Sequence, residues 1–113
     1  MNHVMKLKSR YFDYIKNGTK RIEIRLNDEK RKLIKVGDTI TFLKEPELTD
    51  KLNTKVIELL KYDNFDDMFN DIDISLLADK SMSKEELKNV LEEFYTKEKQ
   101  KEYGVLGIRI ELL

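Results

Sequence analysis

Lys20-Arg21-Ile22-Glu23-Ile24-Arg25 gathers most of the chemistry this chain can offer, and Gly18 stands just ahead of it. Side chains alternate along a strand, so Arg21, Glu23 and Arg25 share one face while Ile22, Ile24 and Leu26 share the other. The polar face carries two fixed cations flanking a carboxylate. That face suits an anionic or hydrogen-bonding ligand, a nucleotide among them. Arg25 can present its planar fork to a phosphate or a base edge. Glu23 can accept from the amino group of a base. Lys20 offers a movable cation, or a base where burial lowers its proton affinity. The same residues also read as a solvated strand face or as an ion pair between Glu23 and a neighbour. Lys20 has the opposite parity from Glu23 on a regular strand. At a helix-to-strand corner, however, a long side chain can swing to either side.

The surrounding sequence supplies elements to hold this group. Residues 3–8 alternate around Val4, Met5 and Leu7 and predict a strand. Ser9 is placed to cap a helix over 10–17, with Phe12 and Ile15 on its inward face. Gly18 ends it in the left-handed position, and the motif strand runs over 20–26. A charged turn follows through Leu33, then Val36-Gly37-Asp38 turns into a strand from Thr39 to Leu43, which Glu45-Pro46-Glu47 breaks. A fourth strand is expected over 53–62, with Val56, Leu60 and Tyr62 on one face and Ile57 and Leu59 on the other. Phe65, Met68, Phe69 and Ile72 have helical spacing. Ser83 and Glu86 form a capping box that opens a long helix over 84–100, with Leu87, Val90, Leu91 and Phe94 inward. Tyr103 to Leu112 predicts a closing strand.

Composition narrows the function classes. The 113 residues suit one domain, 1–113, with a single core. No apolar run approaches the roughly 20 residues of a membrane helix, and no signal peptide is visible, so the expected location is cytoplasmic. The absence of cysteine excludes disulfides, thiolate nucleophiles and zinc–sulfur sites. The lone histidine, His3, excludes a multi-histidine metal site within one chain, and no cofactor is expected. Formal net charge is zero, yet residues 1–38 carry +6 and residues 39–113 carry −6. The basic part holds the motif, so a local patch can hold phosphate while the acidic remainder limits promiscuous binding.

Further candidates are scattered. Tyr11, Phe42 and Tyr103 are aromatics that can stack on bases or simply pack. Ser9 and Arg10 can present an amide and a guanidinium to phosphate at a helix start. Asp63, Asp66, Asp67, Asp71 and Asp73 lack the glycine and terminal glutamate of a calcium loop and read as helix-start carboxylates. The Lys97–Lys101 stretch reads as the charged C-terminal end of the long helix.

The octet from Gly18 to Arg25 has the form G-x-K-x-x-E-x-R, and with it the chain resembles the ASCH domain family of the PUA-like superfamily. His3-Val4-Met5-Lys6-Leu7, Phe12, Ile15, Asn27-Asp28 and Tyr103-Gly104-Val105-Leu106 extend the likeness over nearly the whole chain. The resemblance implies an α+β fold: a small mixed PUA-like β-barrel of about five strands with helices packed across its openings. It implies that Lys20 points into a cleft between barrel and helices, with Glu23, Arg25 and Arg21 beside it, and that His3 lies near the motif strand. Tyr103 joins this ligand-binding set.

Two functions follow from the resemblance. One is a monomeric module binding RNA, a nucleotide or a nucleoside. The other is a hydrolase using Lys20 and Glu23 as acid and base. One similar branch removes the acetyl group of N4-acetylcytidine with a lysine, a threonine and a glutamate. Lys20 matches its lysine, Glu23 stands in place of its threonine, and Lys80 beside Asp79 falls at the glutamate.

Overall fold

The computed structural model describes all 113 residues. Its strands are β1 (Asn2–Leu7), β2 (Ile22–Leu26), β3 (Thr39–Lys44), β4 (Lys51–Tyr62) and β5 (Val105–Leu112). The helices are α1 (Ser9–Lys16), α2 (Phe65–Asp71), α3 (Ile74–Leu77), α4 (Lys84–Phe94) and α5 (Lys97–Tyr103), with a 3₁₀ turn at Arg31–Leu33. The strands form one sheet in the order β1-β3-β4-β5-β2, in which only the β1–β3 pair is parallel. The expected α+β fold is present. The sheet curls into a half-barrel, and its two edge strands, β1 and β2, are not paired with each other by a ladder.

Two apolar clusters hold the layers together. Met5, Phe12, Ile15, Phe42, Val56, Leu106 and Ile108 fill the space between one sheet face and α1. Ile22, Ile24, Leu26, Phe65, Met68, Leu77 and Leu87 join the other side of β2 to α2, α3 and α4. Each fully buried side chain of this size contributes about 1.5–3 kcal/mol. The helix α1 ends where Gly18 takes φ +86, as the sequence predicts. Its N-cap, however, is Lys8, with no side-chain cap bond, so Ser9 is already helical and caps nothing.

Three other expectations change, and one element is added. The strand β4 is bulged: the register with β5 slips between Val56 and Glu58. Ile57 is the extra residue, so Leu59 joins Val56 on the first cluster while Leu60 and Tyr62 pack on the second. The long helix is two helices, because Tyr95 leaves helical geometry and Thr96 caps a new start by accepting from Lys99 N–H. Tyr103 therefore ends α5 rather than opening β5. The short α3, absent from the sequence reading, is capped by Asp73, which accepts from Ser75 N–H.

Candidate functional site

The helix α3 lies along the free edge of β2, where Arg21 N–H donates to Leu76 O at 2.8 Å. Lys20 leaves the corner after Gly18 and runs inward, only 3% exposed. Its Nζ donates to Ile22 O at 2.7 Å and Leu77 O at 2.6 Å, and lies 3.3 Å from Glu23 Oε1. A cation suits the last carbonyls of a helix. Glu23 is 5% exposed and fully engaged. Its Oε1 also accepts from Ile24 N–H at 3.1 Å, while Oε2 accepts from Arg25 Nε at 3.0 Å and lies 2.8 Å from Nη2 in the same ion pair. Arg25 Nη2 donates onward to Lys6 O at 3.0 Å, bridging the two unpaired edge strands.

Burial works against every charge in this cluster; it prevails at Lys20, and partners outweigh it at Glu23 and Arg25. It lowers the proton affinity of Lys20, with Glu23 opposing and Arg25 assisting. For Glu23, desolvation pushes the carboxyl up, but Arg25 and Lys20 together hold it below the usual carboxylate range. Burial lowers Arg25, and Glu23 with Tyr95 more than restores it.

Beside the cluster opens a pocket of about 150 Å³. Lys20, Glu23 and Arg25 form one wall, and Leu77, Leu87, Val90 and Leu91 form another. Tyr11, Phe94 and Tyr95 bring three rings to it. Lys20 Nζ lies 6.0 Å from the centroid of the Tyr11 ring. Leu87 is buried as the inward stripe of α4 requires, but Phe94, 49% exposed and with Lys8 Nζ 4.6 Å from the centroid of its ring, stands at the edge of the pocket instead.

The remaining candidates are elsewhere. Arg21 precedes the regular strand, is exposed, donates to Gly18 O at 3.4 Å and lines a different hollow with Arg109. His3 lies on β1, about 10 Å of strand from Lys6, where its Nε2 is 2.9 Å from Asp38 Oδ2. Tyr103 lines a separate polar groove with Asn27 and Lys61. Phe42 is core at 0% exposure. Arg10 donates to the Tyr14 hydroxyl at 2.8 Å, and neither it nor Ser9 lines the pocket. Lys80 is exposed, Asp79 accepts from the Ser81 hydroxyl at 2.6 Å, and neither reaches the pocket.

Sequence reasoning missed Lys6, Lys8, Leu77 and Tyr95. The two lysines had a legible signal, since residues two apart share a strand face. Leu77 and Tyr95 had none, because their place depends on α3 and on the break after α4.

A family model for the ASCH domain matches residues 5–113. Hypothetical protein PH0355, known from a crystal structure, is 40% identical over 100% of both chains, with a TM-score of 0.89. Protein PF0455 from Pyrococcus furiosus, solved by NMR, is 36% identical over 100% of this chain and 98% of its own, with a TM-score of 0.79. The fold also matches a mutant of ZmASCH from Zymomonas mobilis at a TM-score of 0.62 and 9% identity, over 97% of this chain and 67% of that one. No curated protein matches the chain. Since the family match begins at Met5 and runs to the last residue, this chain belongs to the ASCH domain family.

Proposed function

We propose that this chain is a nucleotide- or RNA-binding module that receives one base in the pocket between β2 and α4. The observation that carries this reading is a pocket with three rings at its wall and a buried Lys20–Glu23–Arg25 cluster beside it. A volume near 150 Å³ is half the lower bound of about 300 Å³ for drug-sized ligands, which suits a single base better than a larger molecule. Every base has a flat face for Tyr11, Phe94 or Tyr95 to stack on. Both oxygens of Glu23 are held by Lys20, Ile24 N–H and Arg25, so its part is to hold Arg25 and Lys20 in place rather than to read a base edge.

Titration of RNA oligonucleotides and ribonucleosides against the wild type and Phe94→Ala tests the reading. Loss of one stacking ring costs about 1–3 kcal/mol, so affinity falls roughly tenfold. The melting temperature stays close to wild type because the ring is half exposed. Unaltered affinity would remove this pocket from consideration.

One observation favours hydrolysis as a second reading: Lys20, its proton affinity lowered by burial, lies 3.3 Å from a carboxylate. No serine or threonine lines the pocket, so water would be the nucleophile. Mass spectrometry of modified nucleosides, N4-acetylcytidine included, and of RNA after incubation with the protein decides between the readings. A product that vanishes with Lys20→Met makes the protein a hydrolase.

A further inference from the structure

The hollow lined by Arg21 and Arg109 has only Lys20 in common with the pocket between β2 and α4. It measures about 260 Å³. The sheet sets both arginines in place. Ile110 N–H of β5 donates to Arg21 O at 2.9 Å, Arg21 N–H donates to Leu76 O, and Arg109 pairs with Ile22 of β2.

Neither guanidinium is hydrogen-bonded to a carboxylate. No carboxylate lies within 4.0 Å of Arg21, whose side chain makes one long bond, to Gly18 O at 3.4 Å. Arg109 has Glu58 at 3.9 Å, beyond hydrogen-bond reach. Solvated arginines need no ligand on that account alone. Here, however, apolar surface stands beside them. Ile57 and Leu112 line the same hollow and remain 39% and 43% exposed. Ile57 is the extra residue of the β4 bulge, and a bulge re-aims a side chain. This one leaves Ile57 outside both apolar clusters and at the wall of the hollow.

We infer that this hollow binds a carboxylate carrying a short aliphatic body, with Arg21 and Arg109 holding the carboxylate and Ile57 and Leu112 covering the aliphatic part. The planar fork of arginine matches a carboxylate. Lys20 also lines the hollow, but its ammonium is committed to Ile22 O, Leu77 O and Glu23. Glu111 is the one carboxylate among the lining residues. Two open guanidiniums beside it suit a single added negative charge. Glu111 repels a polyanion, and no aromatic ring lines the hollow to stack on a base, so a nucleic acid is the wrong occupant. The volume lies under the lower bound of about 300 Å³ for drug-sized ligands, which keeps the aliphatic body short. A free branched acid and the C-terminal carboxylate of a peptide ending in an aliphatic residue share this chemistry.

Amide NMR spectra of the protein titrated with isocaproate, its amide, acetate, sulfate, N-acetyl-glycyl-leucine and the amide of that dipeptide test the site. Shifts should centre on Arg21, Ile57, Arg109 and Leu112. Each acid should bind about tenfold or more tighter than its amide, the worth of a charge-assisted contact. Acetate should bind more weakly than isocaproate, by up to about fourfold for each buried carbon lost. In Arg21→Gln and in Arg109→Gln the ratio of acid to amide affinity should fall toward one. Arg21 is exposed and the Arg109 side chain is 40% exposed, so both variants should fold, and each carries the test if the other does not. In Ile57→Ser the advantage of isocaproate over acetate should shrink while the preference for acid over amide holds. Tighter binding by isocaproate identifies a small free acid as the source, and tighter binding by the dipeptide identifies a peptide C-terminus. Equal affinity for acid and amide, sulfate binding as tightly as isocaproate, shifts centred on Tyr11, Phe94 and Tyr95, or no saturable binding overturns the site. None of these outcomes bears on nucleoside or RNA binding in the other pocket.

Discussion

Replacing Glu23 by glutamine removes the carboxylate shared by Lys20 and Arg25 and leaves two cations facing one another beneath the surface. Breaking a buried charge network from one side costs about 3–5 kcal/mol, so the denaturation midpoint should fall by that equivalent. A loss under about 1 kcal/mol, the size of an exposed pair, would mean that water screens the cluster. The same residue gives a pH signature. Its folded proton affinity lies below the ordinary carboxylate value of 4.5, so the unfolded chain binds more protons as the medium acidifies. The stability Glu23 contributes is therefore present above pH 4.5 and is lost as pH falls through the lower folded value. Acid unfolding curves of the wild type should show that segment, and those of Glu23→Gln should lack it. For Lys20 the depressed proton affinity acts below 10.5, where the unfolded chain holds the extra proton, and stability rises with pH there.

Among the elements, the joints matter more than the helices and strands they connect. Gly104 ends α5 and starts the path into β5 with φ +74. A Cβ at this position would meet Tyr62 O at 3.0 Å. Gly104→Ala should therefore lower stability by about 1–3 kcal/mol, since the strained backbone and the close carbonyl act together. Gly18→Ala is the control: its φ is +86, but nothing lies within 4 Å of the added carbon. It should cost less, about 1 kcal/mol. Thermal melts of the two variants check the order, and a reversed order would remove the contact with Tyr62 O as the cause. The break at Tyr95–Thr96 has a local origin too. Gln100 Nε2 donates to Tyr95 O at 3.0 Å and to Glu92 Oε2 at 3.1 Å, which secures the bend from below. Without that bend the Tyr95 ring would not reach the pocket.

At the scale of the whole molecule the sheet has two free edges, and free edges invite pairing with other chains. Here α3 covers one part of β2 through the Arg21–Leu76 backbone bond and the Lys20 bridge. Farther along the strand, Arg25 reaches across to Lys6 O. The charged cluster thus closes the half-barrel where no ladder does. Arg25→Lys keeps the charge and loses the fork. Hydrogen exchange at the amides of β1 and β2 should speed up in this variant while that of β4 and β5 stays near wild type. Uniform acceleration across all four strands would show that Arg25 supports global stability rather than the seam.

The sequence alone determined the elements whose cause is local. Period-two alternation marked the strands, helical spacing marked the buried faces of α1, α2 and α4, and Ser83 with Glu86 marked a helix start. The spacing of Gly18, Lys20, Glu23 and Arg25 marked the family and brought three of those side chains to attention. Tertiary structure decided what depends on distant partners. Arg21 and His3 are near the motif in sequence or strand order, yet they turn to Gly18 and Asp38. Tyr103 leaves for another groove because α5 continues to it. The Ile57 bulge reset the faces of β4, and it is visible only against β5. Above all, which lone pairs of Glu23 remain free depends on Lys20, Ile24 and Arg25 converging in space. Alternation along one strand fixes a side chain's face, but only the packed partners fix what that side chain has left to offer a ligand.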